Sequence, residues 1–348
     1  MSTPRTGTYR RTQSIAALAA LAALGLGSVG AAPARAGAAR VQCGNMFPAA
    51  FRAALQREFP DQRVTAAVFD THTQCWYHLH PATRITTASV IKAQVLGAVL
   101  LHAQDEHRGL DKHERSLIKP MIEYSLNDPY VSDLYEEVGG VAGMNAFDRR
   151  MHATSTTNTL EYGATVTTAV DRTRIALRML YGRGPLHQAA RATAWHYMAH
   201  VVNPTQRWGI TAGVPRGWQV ALKNGFYPIP GAARWRVGST GFVRATGTAG
   251  GYAVTIMTDH NASQHDGIRL VERVSRHVAA FLTSGPPAPR VVSRAVCVTT
   301  HAGESWKTVA HLVGEPRSHW AAVRLVSGGN PGPLQGQRAC SPRLPKAG

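Results

Sequence analysis

The stretch TTASVIKAQVLGAVL, residues 86–100, constrains the fold more than any other part of this 348-residue chain. A helix starting near Ser89 carries Val90, Ile91, Val95, Leu96, Val99 and Leu100, so apolar side chains reach almost every face. Such a helix is stable only when other elements surround it, which requires a domain large enough to enclose a core helix.

The flanking sequence supplies those elements. In FPAAFRAALQREF the spacing of Phe47, Phe51, Leu55 and Phe59 predicts a short helix, and RVTAAVFDTH and QCWYHLHP read as strands joined at Thr71 to Thr73. Residues 110–183 read as mainly helical. DKHERSLIKPMIEYS forms one helix ending near Tyr124, DPYVSDLYEEVG another, and Thr168 with Asp171 forms a capping box for AVDRTRIALRMLYG. Residues 151–165 lack periodicity and read as a loop. Three strands follow in WQVALKN, ARWRVGSTGFVRA and YAVTIMTDH, then a closing helix in DGIRLVERVSRHVAAFL. Strands at both ends with helices between them predict an α/β (α+β) domain, its antiparallel sheet built from both ends and flanked by helices.

The chain termini read differently. Arg5, Arg10 and Arg11 precede the apolar run IAALAALAALGLGSVGAA, and Ala34 and Ala36 fit the small-residue rule for cleavage before Gly37. Residues 1–36 are therefore expected to be a signal peptide, with the mature protein secreted and without a stable membrane anchor; a twin-arginine route is open alongside the general one. SGPPAPR, residues 284–290, reads as a linker between a domain over 37–283 and a small module over 291–348. Cys43, Cys75, Cys297 and Cys340 all fall after the signal. Their positions favour pairing Cys43 with Cys75 and Cys297 with Cys340, although four cysteines allow three connectivities. The formal charge of +18 includes four arginines, and no acids, in the first 36 residues, leaving +14 on the remainder. Such charge favours anionic wall polymers. Its scattered basic residues and the export signal argue against nucleic acid as a partner.

The chemistry starts at Ser89. A serine at a helix N-terminus meets outward-pointing N–H groups and a field that favours developing negative charge. Lys92, one turn on, lies on the same face, and an ammonium among apolar residues can lose its proton readily enough to act as a base. An isolated Ser-x-x-Lys is also an ordinary cap beside a solvated lysine, so partners decide the reading. SVIK (Ser89, Lys92), SLN (Ser125, Leu126, Asn127) and KNG (Lys223, Asn224, Gly225) occur in that order. With these three elements the sequence resembles the penicillin-recognising serine enzymes, the class A serine β-lactamases and related D,D-peptidases, over roughly residues 44–283.

The resemblance implies a β-lactamase/transpeptidase-like fold, with a five-stranded antiparallel sheet and a helical subdomain. It implies an acyl-enzyme on Ser89, with Lys92 as base and Ser125 as proton relay. Asn127 would hold the substrate amide and the base, Lys223 and Asn224 would face a substrate carboxylate, and Gly225 would allow close backbone approach. Tyr227 would join its N–H to that of Ser89 in an oxyanion hole. The expected substrate is a β-lactam or a cell-wall peptide amide, handled by a monomer without cofactor or metal.

Three departures stand out: the short interval between Ser89 and Ser125, Asn224 where a hydroxyl residue is usual, and Leu126 where Asp is usual. A fourth concerns deacylation, because the family carries a loop glutamate between its second and third motifs. The corresponding HATSTTNTLEYGATVTTAVD offers only Glu161, which is expected to face water. The rival reading is a catalytically weak or inactive peptidoglycan-binding protein. Residues 301–334, with GESWKTVA and GNPGPL, resemble a divergent LysM repeat, a glycan-binding module in which Trp306 and Trp320 would stack on sugar or fill the small core. His78 and His80 alternate on a strand without a third ligand, and Asp259 with His260 reads as a turn.

Overall fold

The computed structural model describes residues 43–182, 184–245, 250–283, 297–299, 305–312 and 338–340. The expected signal peptide and linker lie outside the described residues. Helix α1 (Ala49–Glu58) leads into β1 (Arg63–Asp70) and β2 (Trp76–Leu79), which pair antiparallel with Ala66 opposite Leu79. The connecting turn is closed by the Asp70 carboxylate, which accepts from His72 N at 2.9 Å and Thr73 Oγ1 at 2.6 Å. A Cys43–Cys75 disulfide, one of the two expected pairs, ties the start of the described chain to this hairpin.

After β3 (Arg84–Thr86) and a 3-10 turn (Ala88–Val90) runs α2 (Ile91–Asp105), in which every residue from Ile91 to Leu101 is buried. Each fully buried Val, Leu or Ile there contributes about 1.5–3 kcal/mol of burial free energy. Around α2 lie α3 (Lys112–Glu123), α4 (Tyr130–Glu137), α5 (Gly140–Met151), α6 (Ala169–Leu180) and α7 (Gln188–Ala199). Helix α3 starts with a capping box between Asp111 and Glu114, and α6 is capped by Thr168 accepting from Asp171 N at 3.2 Å. Within the expected loop, a 3-10 turn (Tyr162–Ala164) precedes β4 (Val166–Thr168), which pairs with β3. Helices α5 and α7 are not singled out by the sequence pattern.

The long strands β5 (Gln219–Pro228), β6 (Trp235–Arg244) and β7 (Gly251–Asn261) complete the five-stranded antiparallel sheet in the order β2-β1-β7-β6-β5, so both ends of the domain do build it. Helix α8 (Gln264–Thr283) follows. Strand alternation divides the core. Phe69, Ala221, Phe242 and Ala253 pack toward α2 and its surrounding helices, whereas Val68, Leu222, Val243 and Ile256 pack toward α1 and α8. Asp259 and His260, read from sequence as a turn, instead lie in the last residues of β7. There Asp259 is buried and pairs with Arg63 and Arg236.

Of the expected small module, three pieces are described. Strands β8 (Cys297–Thr299) and β9 (Arg338–Cys340) pair with Cys297 opposite Cys340, and α9 (Trp306–Leu312) buries Trp306, Val309 and Ala310. The expected second helix and GNPGPL, and the side chains of Cys297 and Cys340, lie outside the description. No helix among the described residues is long and apolar enough to cross a membrane.

Candidate active site

The turn that carries Ser89 is held from outside its own helix. Thr87 N donates to Thr165 O at 2.8 Å, and Val90 N closes the turn onto Thr87 O at 3.1 Å. Ala88 adopts a left-handed φ of +45°, a conformation costing a non-glycine residue about 1–3 kcal/mol that the surrounding contacts must offset. Ser89 is thereby presented half-buried at the entrance to α2, and its hydroxyl makes no hydrogen bond among the described residues.

Lys92 is fully buried one turn later, with 0 % exposure. Its Nζ donates to Ser125 O at 2.8 Å and Asn127 Oδ1 at 2.7 Å, and lies 3.5 Å from Ser125 Oγ. Ser125 reaches that position because α3 ends at Glu123 and the chain reverses: Ser125 takes a left-handed φ of +60°, and Leu126 N returns to Pro120 O at 3.1 Å. From β5, Lys223 is buried as deeply, and its Nζ donates to Ser125 Oγ at 2.8 Å and to Asn224 O at 2.9 Å.

Strand β5 lies directly against the serine turn. A Cβ on Gly225 would fall 2.6 Å from Val90 N and 2.8 Å from Ser89 N, so only glycine permits this approach.

Burial sets the electrostatics. Loss of hydration lowers the Lys92 pKa to about 8, against an opposing pull from the Asp128 carboxylate. Lys223 is also lowered well below the usual lysine value, first by burial and then by repulsion from Lys92. A neutral lysine keeps two N–H donors and one lone pair. Two short bonds to Ser125 O and Asn127 Oδ1 use the donors of such a Lys92 and leave its lone pair available to take a proton.

The chain's similarities point to the fold around these residues. The beta-lactamase enzyme family matches residues 115–282, a span holding Ser125, Asn127 and Lys223. The solved structure of PBP-A aligns at a TM-score of 0.58 with 18 % identity, over 67 % of this chain and 96 % of that one. A β-lactamase from Desulfarculus baarsii aligns at 0.57 with 19 % identity, over 70 % of this chain and all of that one. An ancestral class A β-lactamase aligns at 0.56 with 22 % identity, over 66 % and 98 %. The described domain has the β-lactamase/transpeptidase fold. Among curated protein sequences, none matches.

Within this β-lactamase-like domain the sequence-predicted residues do not all converge. Ser89, Lys92, Ser125, Asn127, Lys223 and Gly225 assemble from three segments, whereas Asn224 points the other way. Asn224 is 1 % exposed, and its Nδ2 donates to Gln206 O at 2.8 Å and Trp208 O at 3.0 Å. Both amide donors are thus committed to the loop before β5, which corrects the expectation that this side chain meets a substrate carboxylate. The physical reason is strand alternation, which sends Lys223 and Gly225 to one face and Asn224 to the other. Tyr227 shares the face of Lys223 toward the strand's end and is 45 % exposed.

Glu161, the only glutamate in the loop between the second and third motifs, is exposed, and its carboxylate makes no hydrogen bond or ion pair among the described residues. His78 is exposed on β2, and His80 lies past its end with Nδ1 2.9 Å from Val64 O. No cluster of three His, Cys, Asp or Glu side chains is placed to hold a metal among the described residues.

Two features escape sequence reasoning. Tyr162 donates from its hydroxyl to Asp128 Oδ1 at 3.0 Å. Deeper, Arg172 bonds Gln94 and lies 3.9 Å from Asp148, while Asn158 donates to Asp148 Oδ2 at 2.7 Å, forming a buried network beneath the loop. The cap at Thr168 signals where Arg172 sits on its helix, but no spacing signals its partners.

Proposed function

We propose that the domain is a serine hydrolase of the β-lactamase and penicillin-binding type that forms an acyl-enzyme on Ser89 with a β-lactam or a cell-wall peptide amide. The observation that carries this reading is the position of Ser125 Oγ, between Lys223 Nζ at 2.8 Å and Lys92 Nζ at 3.5 Å. Neutral Lys92 takes the Ser89 proton as Oγ bonds to the carbonyl carbon. The N-terminal turn of α2 and an N–H from the edge of β5 near Tyr227 stabilise the oxyanion. As the C–N bond breaks, the proton passes from Lys92 through Ser125 to the leaving nitrogen, returning Lys92 to its neutral state. Lys223 orients Ser125 and adds positive charge facing a substrate carboxylate, and Asn127 holds Lys92 while its amide nitrogen addresses the substrate.

A single-residue mutant of PBP-A was solved as an acyl-enzyme complex with penicillin G, and it aligns at a TM-score of 0.58 with 18 % identity, over 70 % of this chain and all of that one. Because Glu161 faces water without partners, acylation here is proposed to outpace release. The acyl-enzyme then accumulates and turnover is limited by its slow release, in a protein that is exported and held at the wall through its C-terminal module.

The test is incubation with a fluorescent penicillin followed by intact-mass and peptide analysis. A covalent adduct on Ser89, absent from Ser89→Ala, is expected. An unlabelled wild-type protein after prolonged exposure would reject acyl-enzyme formation and favour a non-catalytic wall-binding role.

A further inference from the structure

We propose that Asp128 is a positioning residue of this site: clamped by the Tyr162 hydroxyl, it fastens the turn over residues 162–165 to the Ser125–Asn127 segment and holds a carboxylate beside Lys92. The proposal rests on the acyl-transfer reading in taking Lys92 as the base, and goes beyond it in naming what sets that base.

The contacts form a closed ring around the Ser89 turn. Thr87, two residues before Ser89, donates from its N–H to Thr165 O at 2.8 Å and from Oγ1 to Gly163 O at 3.5 Å. From the same 3-10 turn, Tyr162 donates to Asp128 Oδ1 at 3.0 Å. Asp128 adjoins Asn127, whose Oδ1 accepts from Lys92 at 2.7 Å, and Lys92 returns along α2 to Ser89. The far side of the loop is held separately, by Tyr135 donating from its hydroxyl to Thr159 O at 2.8 Å. Breaking the Tyr162–Asp128 link opens the ring at its bond between side chains of the loop and of the SLN segment.

Tyr162 is suited to be a permanent donor. Burial, followed by its bond to Asp128, pushes its pKa up to about 12, so the hydroxyl keeps its proton throughout the working range. Among the described residues, two charged groups face Lys92: Lys223 from β5, which repels an ammonium, and Asp128 from the segment after Asn127, which attracts one. Asp128 therefore steadies the ammonium created when Lys92 takes the serine proton, before that proton moves to Ser125. Glu161 lacks such a role, because its carboxylate is exposed and bonded to nothing described.

The test uses the chain with 13C-labelled lysine methylene groups and follows the Lys92 titration by NMR, its signal assigned from Lys92→Met. Asp128→Asn is expected to lower the Lys92 midpoint by about half to one pH unit, and Asp128→Ser to do the same if the Asn variant folds poorly. Asp128→Glu is expected to restore it. Tyr162→Phe, which keeps the charge, should leave the midpoint within about 0.2 unit while slowing acylation by fluorescent penicillin about tenfold through loss of alignment. An unchanged midpoint in both neutral variants overturns the proposed charge at Lys92, and full-rate acylation by Tyr162→Phe overturns the fastening. The titration reads out without turnover, so a wild-type protein that never acylates would sink the acyl-enzyme reading and still leave the place of Asp128 decided by the midpoint.

Discussion

Lys223 places its ammonium 2.8 Å from the hydroxyl of Ser125, a residue 98 positions earlier in the chain. That single contact joins the edge strand of the sheet to the reversal after α3, and it fixes a hydroxyl whose other neighbour is Lys92. Two buried amines against one hydroxyl cannot both hold full charge cheaply: burial lowers both, and repulsion from Lys92 lowers Lys223 in addition.

The state of Lys92 gives acylation a pH dependence. With its pKa near 8, about 1 % of Lys92 is neutral at pH 6, two units below. The second-order rate of labelling by fluorescent penicillin is expected to rise about tenfold per unit to a plateau above pH 8. A flat profile between pH 6 and 8 would remove Lys92 from the role of base. The stability term has the same sign: a depressed folded pKa contributes stability above the unfolded value that is lost as pH falls through about 8.

Gly225→Ala should push β5 away from the serine turn, because the added Cβ would sit 2.6 Å from Val90 N. The expected result is a loss of about 1–3 kcal/mol in stability and at least a ~10-fold slower acylation. Gly238, opposite Gly225 in the sheet, is the control. Its added Cβ would meet Val90 Cγ2 at 3.3 Å, and Gly238→Ala should be the milder change. Urea denaturation with acylation rates on both variants decides the point; equal behaviour would remove the close approach as a requirement.

A second acid–base effect lies at the end of α4. Burial, with the nearby Glu114 carboxylate, pushes the Glu137 pKa up to about 7, against the pull of Arg108. A raised folded pKa means that this stability is present below the unfolded value and lost as pH climbs through about 7. Glu137→Gln, which imitates the protonated acid, is expected to match the parent at pH 4 and to melt about 2–4 °C higher at pH 8. Equal melting temperatures at pH 8 would show that the carboxylate carries no such penalty.

Local patterns make much of this readable without coordinates. The apolar wrap of residues 90–101 requires a central helix, and SVIK, SLN and KNG fall on a helix start, a helix end and a strand. Their chemistry is legible because a motif is short enough to keep its geometry. Asn224 misleads for the opposite reason: motif membership places it at the substrate, whereas the alternation of β5 and two carbonyls from residues 206 and 208 turn it inward. The pairs Tyr162–Asp128 and Arg172–Gln94 lie 34 and 78 residues apart and leave no periodic trace in the sequence. Helices α5 and α7 escape notice where glycine, alanine and polar residues blur the 3.6-residue pattern.

The strand order carries a consequence for how the protein is made. β1 has its two neighbours at opposite ends of the domain: β2 follows it at once, but β7 ends at Asn261, with Arg63 opposite Asp259. A nascent chain emerging from its amino end therefore holds β1 with one open edge until almost the whole domain has been synthesised. Only the last long strand can fill it. Loop closure over that span makes folding slow and late. A chain stopped short of residue 251 would carry Ser89, the SLN and KNG segments and the buried helix, yet lack the strand that joins β1 to β6 in the sheet.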